Sequence, residues 1–132
     1  MKVLLERYVL WLQGLKVHGD VMAESRGGKE DIRLKASFLG LTEGGTEHIS
    51  AQIIQRWLTS KQLKVKPKPN NIAGLQLADL IAHPSFKAVQ ARRNREALPA
   101  TYGGRIAEVL ERSKYRRSPT GRIEGYGRKW LP

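Results

Sequence analysis

The 132-residue chain predicts a helix-rich α/β fold. Three observations point there. Residues 3–15 form one long apolar helical run. Two short stretches, 19–23 and 63–66, carry the composition of strands. Clusters of glycine and proline separate these segments.

The elements follow in order. Val3, Leu4, Leu5, Tyr8, Val9, Leu10, Trp11, Leu12 and Leu15 cover more than one face of the first helix, which therefore belongs against a sheet or a partner. Gly14 and Gly19-Asp20 punctuate the chain. Gly19 to Ala23 predicts a short buried strand ending near Glu24, and Ser25-Arg26-Gly27-Gly28 a turn. Lys29 to Leu39 predicts an amphipathic helix whose apolar set is Ile32, Leu34, Phe38 and Leu39. Ile49 to Leu58 predicts a further helix. Leu63-Lys64-Val65-Lys66 alternates like a half-exposed strand, ended by Pro67 and Pro69. Asn70 or Asn71 is placed to cap the helix that contains Asp79. Pro84 is expected to stop that helix and to open a basic one over 85–96. Another helix is predicted over 104–114. From Arg116 onward Ser118-Pro119, Gly121, Gly125 and Gly127 predict turns and extended backbone. The expected organisation is one α/β body over 1–115 and a basic, glycine-rich tail over 116–132.

A hydrophobic content of 40% is enough to build a core in a single domain. The absence of cysteine excludes disulfides and thiolate zinc sites. His18, His48 and His83 show no metal-ligand spacing. No stretch reaches the length of a membrane span, and no cleavage signal follows the apolar opening segment, so a cytoplasmic protein with no membrane partner is expected.

The net charge is +12, from 24 Lys/Arg against 12 Asp/Glu. Residues 87–132 hold 12 of the Lys/Arg and 4 of the Asp/Glu, so +8 of the charge lies in the last third. A one-sided basic surface implies a polyanionic partner, most simply nucleic acid. The candidate phosphate contacts are Arg26, Lys64, Lys66, Arg92, Arg93, Arg116, Arg117, Arg128 and Lys129. In the tail, Tyr126 and Trp130 alternate with Arg122, Arg128 and Lys129, a pattern that suits stacking on bases or, equally, packing on the domain.

Two carboxylates stand out. Asp79 is the one acid of the nearly all-apolar run Asn71 to Pro84, and burial there would need a compensating cation or hydrogen bonds. Glu24 ends the first predicted strand. A two-metal phosphodiester hydrolase gathers several carboxylates around Mg²⁺ or Mn²⁺ ions about 4 Å apart, and a strand end and a helix face are rigid platforms for them. Asp31, seven residues past Glu24, is either a third ligand or a helix N-terminal charge. Gln76, one turn before Asp79, either orients that carboxylate or satisfies nearby backbone. Arg26 is either a phosphate clamp or an ordinary ion-pair partner. His83 is expected as a cap or core residue. Asp79 and Glu24 also have plain readings, as an ion-paired acid and a surface acid.

The segments Glu24-Ser25-Arg26-Gly27 with Glu30-Asp31, then Asn71-Ile-Ala-Gly-Leu-Gln-Leu-Ala-Asp79-Leu-Ile-Ala, then Gly121 to Pro132, resemble one family in order along nearly the whole chain. It is the bacterial domain-of-unknown-function family 3800, a member of the ribonuclease H-like, resolvase-like superfamily. The resemblance implies a ribonuclease H-like fold in which Glu24 matches the fourth-strand metal acid and Asp79 the late-helix acid. The family's opening strand with its Asp-Glu-Ser-Gly motif has no counterpart here, so the chain is expected to be a C-terminal portion of a longer protein or a naturally truncated copy, lacking the first strands and the first metal acid. An incomplete, weakly active or inactive metal-dependent nuclease follows. So does self-association, or pairing with a chain that supplies the missing strands. The alternative is a non-catalytic nucleic-acid-binding or assembly module.

Overall fold

The structure, a computed structural model, describes residues 1–130. Its elements run in the order α1 (Lys2–Leu15), β1 (Met22–Glu24), α2 (Gly28–Gly44), α3 (Ala51–Trp57), β2 (Lys64–Lys66), a 3-10 turn (Lys68–Asn70), α4 (Ala73–Asn94) and α5 (Tyr102–Ser113). They fall into two compact units, Met1–Leu75 and Gln76 onward, with the tail from Arg116 in the second. The mixed, helix-rich α/β class expected from the sequence is the class observed.

In the first unit, Leu5, Val9 and Leu12 recur at helical spacing on α1 and turn inward. They meet Phe38 of α2, Ile54 of α3 and the flanking Ile49, Leu58 and Leu63 in one apolar cluster, against which Val21, Ala23 and Val65 of the strand region pack. Helix α1 closes at Lys16, which takes a left-handed conformation (φ 56) and donates its N–H back to the carbonyls of the last turn. Ser50 caps α3, its hydroxyl accepting from the Ile53 N–H.

The strands β1 and β2 are parallel, with Met22 opposite Lys64, Ala23 opposite Val65 and Glu24 opposite Lys66. A bridge from Gly19 to Leu58 extends the pairing upstream. Glycine is needed at 19 because a Cβ there would stand 2.2 Å from the Tyr8 hydroxyl. That hydroxyl donates to the Asp20 carbonyl at 3.1 Å and ties α1 to the approach of β1.

Several expectations need correction. β1 is shorter than predicted and Met22 is exposed, because the three-residue strand has a neighbour on one edge among the described elements. Helix α2 runs past Gly40 to Gly44. An interior glycine costs only about 1 kcal/mol. Beyond it Leu41 packs on the core and Thr42 is buried, its hydroxyl donating to the Leu39 carbonyl at 2.9 Å. Leu34, Phe38 and Leu41 form the inward stripe of α2, which leaves Ile32 on the opposite side in solvent. Asn71 does not cap α4. It closes the preceding 3-10 turn in a left-handed conformation (φ 50), and α4 begins at Ala73.

Pro84 lies inside α4 and does not end it. It lacks the N–H that would bond the Leu80 carbonyl. Leu80 is itself half exposed, so solvent is at hand for the carbonyl left over. The burial expected around Asp79 is also absent. Residues 76–80 are all exposed, with Leu77 at 58% and Leu80 at 50%. The inward residues of α4 are Ala88 and Ala91, one and two turns beyond Pro84. The desolvation argument for a cation at Asp79 therefore falls away.

Glu6 is the exception in the first unit: it is 8% exposed, and its Oε1 is buried with no hydrogen-bond partner among the described residues. An orphaned buried acceptor costs about 1–3 kcal/mol. Glu6→Met keeps the length and removes the polar atoms, so it is expected to raise the urea midpoint, with a gain of about 1–3 kcal/mol in unfolding free energy. A midpoint that falls would show that the carboxylate has a stabilising partner.

Candidate nucleic-acid interface

In parallel sheets the crevices that take ligands open at the carboxyl ends of the strands. At that end of the first unit stand Glu24, Ser25, Arg26, Lys66 and Lys68. Ser25 continues the ladder, its N–H donating to the Lys66 carbonyl at 2.9 Å. The chain then turns at Gly27 (φ 114) into α2. Asp31, in the first turn of α2, reaches back over this turn. One of its oxygens accepts the Ser25 hydroxyl at 2.5 Å and the other the Arg26 N–H at 2.9 Å. The Ser25 hydrogen bond first, and the Arg26 N–H second, hold the Asp31 carboxyl below the usual carboxylate range. This is the geometry of a helix N-terminal charge, one of the two roles its sequence position allowed.

The Glu24 carboxylate is 27% exposed and lies 3.7 Å from the Lys68 ammonium, a partner that sequence reasoning missed. The prolines on either side of Lys68 were the available signal, since they fold the chain back just after β2. Lys64 pairs with Asp20, and that bond, as the leading cause, lowers the Asp20 carboxyl. Arg26 is exposed and Lys66 half-buried, and neither enters an ion pair among the described residues. So Glu24, Arg26, Asp31 and Lys66 are brought to one end of the strand pair. Gln76 and Asp79 lie on an exposed stretch of α4 in the second unit. Among the described residues no three His, Cys, Asp or Glu side chains gather into a metal donor set.

The cations of the second unit divide into two groups. Arg92 on α4 and Arg128 in the tail both bond Glu111 of α5, and Arg128 also grips Glu124. Arg128 and Glu111 are 11% and 13% exposed, so water screens this pair less than the half-exposed Arg92 and Glu124 beside it. The Arg128 hydrogen bonds are the first cause of a lowered Glu124 carboxyl, and in turn Glu124 raises Arg128. Arg117 donates to the carbonyls of Glu111 and Gly121, at 2.7 and 3.1 Å, and so closes the end of α5. Arg93 lies 4.1 Å over the Trp130 ring. These contacts dock the tail on the helices. Arg116 and Lys129 belong to the other group, exposed and outside every ion pair among the described residues. Arg122, which the tail pattern named, shares that state, as do Lys87, Arg105 and Lys114, which were not singled out from sequence because charge patterning does not distinguish an open cation from a paired one.

No protein-family model matches the chain, and neither a curated protein nor a solved structure shows significant similarity to it.

The Asp31 geometry fixes a pH dependence. A carboxyl lowered in the folded state adds stability above its ordinary value of 3.8, and loses it as pH falls through the lower folded value. Asp31→Ala is therefore expected to be less stable than wild type at pH 7 in urea unfolding, with the difference closing as pH drops below about 3.8. A difference that persists undiminished into acid would mean that the carboxylate charge is not what holds the turn.

Proposed function

We propose that the chain is a nucleic-acid-binding module, built on the ribonuclease H-like frame that its sequence resembles and lacking a completed metal centre. The observation that supports this best is the state of the basic residues. Of the 12 Lys/Arg beyond residue 86, two, Arg92 and Arg128, are in ion pairs among the described residues. The other ten stand outside ion pairs among the described residues, and the four acids of this stretch are already counted in its net +8, so a polyanion supplies the missing countercharge. Arg26, Lys66, Arg116 and Lys129 are the phosphate contacts of this reading. Arg92, Arg117 and Arg128 shape the surface that carries Arg116 and Lys129.

One observation favours a second reading, a metal-dependent nuclease. Glu24 stands at the carboxyl end of a parallel strand, where catalytic acids of open α/β sheets collect. Against it, no three acids or histidines gather into a donor set for Mg²⁺ or Mn²⁺ among the described residues, Asp31 uses both oxygens on its own turn, and Glu24 faces Lys68. Binding without hydrolysis is the function that follows.

The experiment is a salt titration of oligonucleotide affinity with a cleavage assay on the same samples. Log affinity is expected to fall linearly with log salt, with a slope of about −3 to −5. The double substitution Arg116→Glu, Lys129→Glu is expected to flatten the slope by about 1–2. No strand scission is expected with Mg²⁺ present. Absence of binding at low salt would sink the proposal, and Mg²⁺-dependent cleavage lost in Glu24→Ala would replace it with the nuclease reading.

The partner reading belongs here as well. A parallel pair of three-residue strands is short of a self-sufficient sheet. Leu4, Trp11 and Leu15 also form an exposed apolar line along α1. Both features fit self-association or a chain that adds strands. Sedimentation is expected to give a species heavier than the 14.9 kDa monomer, and a stable, well-folded monomer at all concentrations would contradict it.

A further inference from the structure

Within the second unit a cavity of about 220 Å³ opens between α4 and the segment leading into α5. Small and cyclic residues leave it empty. Pro84 and Ala88 of α4 line one side, Pro99 and Gly103 the other. Gly104 lets the Pro99 loop lie against the start of α5, because a Cβ there would meet the Pro99 carbonyl oxygen at 1.9 Å. Two polar groups of this wall bond within it: the Pro99 carbonyl accepts the Thr101 N–H at 2.8 Å, and the Thr101 hydroxyl accepts the Gly104 N–H at 3.2 Å. The charge-bearing side chains on the lining are His83 and Lys87, and no carboxylate is among them.

We propose that this cavity receives one unstacked base of a single-stranded nucleic acid, with Lys87 on the phosphate beside it. The inference rests on the nucleic-acid reading above and narrows it to single strands. Size, polarity and charge select the occupant together. The volume is below the roughly 300 Å³ at which drug-sized sites begin, so it suits one ring system. Apolar walls reject a bare phosphate, which would lose its hydration there. A cationic rim without acids selects a ligand that carries negative charge next to its ring. A nucleotide has both parts, and the His83 imidazole offers it a stacking face. A duplex keeps its bases stacked inside and cannot present one without unpairing it.

The test uses the full chain and three labelled oligonucleotides of about 12 nucleotides: an oligothymidylate, an abasic strand with the same phosphates, and a duplex. Anisotropy titrations at low salt are expected to show oligothymidylate bound at least about tenfold more tightly than the abasic strand, with the duplex near the abasic value. Gly103→Leu fills the cavity. Its Cβ meets Pro84 Cγ at 3.7 Å and the Thr101 hydroxyl at 3.8 Å, both ordinary contacts. It is expected to bring oligothymidylate down to the abasic level while leaving abasic binding and the melting temperature unchanged. Equal binding of oligothymidylate and abasic strands by the wild type overturns the base pocket and leaves the nucleic-acid reading intact. A base preference that survives Gly103→Leu also overturns it. No binding of any strand overturns both readings. Thymidine monophosphate competing as well as the oligonucleotide would make the source a free nucleotide and overturn the assignment to a strand.

Discussion

The apolar cluster behind the two short strands is what the first unit depends on. Three-residue strands gain too little from their own ladder to stay in place. Phe38, Ile54, Val9 and Leu5 lock α1, α2 and α3 together and give Val21, Ala23 and Val65 a surface to lie on. Once that surface exists, the parallel register follows and Glu24 ends opposite Lys66. The turn that follows is then held by Asp31 from the far side. The placement of Glu24 and Lys66 at that end thus traces back to packing.

The second unit is organised by a different force. Its fully buried apolar residues are alanines, Ala88, Ala91 and Ala107, which remove little surface from water. The Glu111 carboxylate compensates by joining three segments: Arg92 from α4, its own helix α5, and Arg128 from the tail. Salt links of this partly covered kind define geometry as much as they add stability. The same small side chains that limit the core also leave room beside Pro84 and Pro99. Thin packing and the cavity are thus two outcomes of one choice of residues.

These two constraints assign the basic residues their work. Arg92, Arg117 and Arg128 hold structure, and Arg93 covers an aromatic ring. Arg26, Arg116 and Lys129 remain toward solvent. On the proposed reading, a polyanion would meet a surface already shaped by internal ion pairs, with less reordering. The carboxylates tell the complementary story. Asp31 and Glu111 are occupied by structural hydrogen bonds.

The amphipathic helices, the two strands and the glycine-rich turn after Glu24 were legible in the sequence, because periodicity and turn chemistry are local properties of the chain. Less legible were the features that depend on what a segment meets in space. Residues 73–82 have the composition of a buried helix and are largely exposed, since no rule of composition says whether a covering surface exists. Pro84 has the chemistry of a helix stop, yet the helix continues where solvent can meet the carbonyl it leaves unbonded. Composition alone determined that this is a strongly basic, cysteine-free α/β chain. Only the tertiary structure decided which cations are spent on Glu111 and Glu124 and which face outward, because pairing depends on distances between residues far apart in sequence.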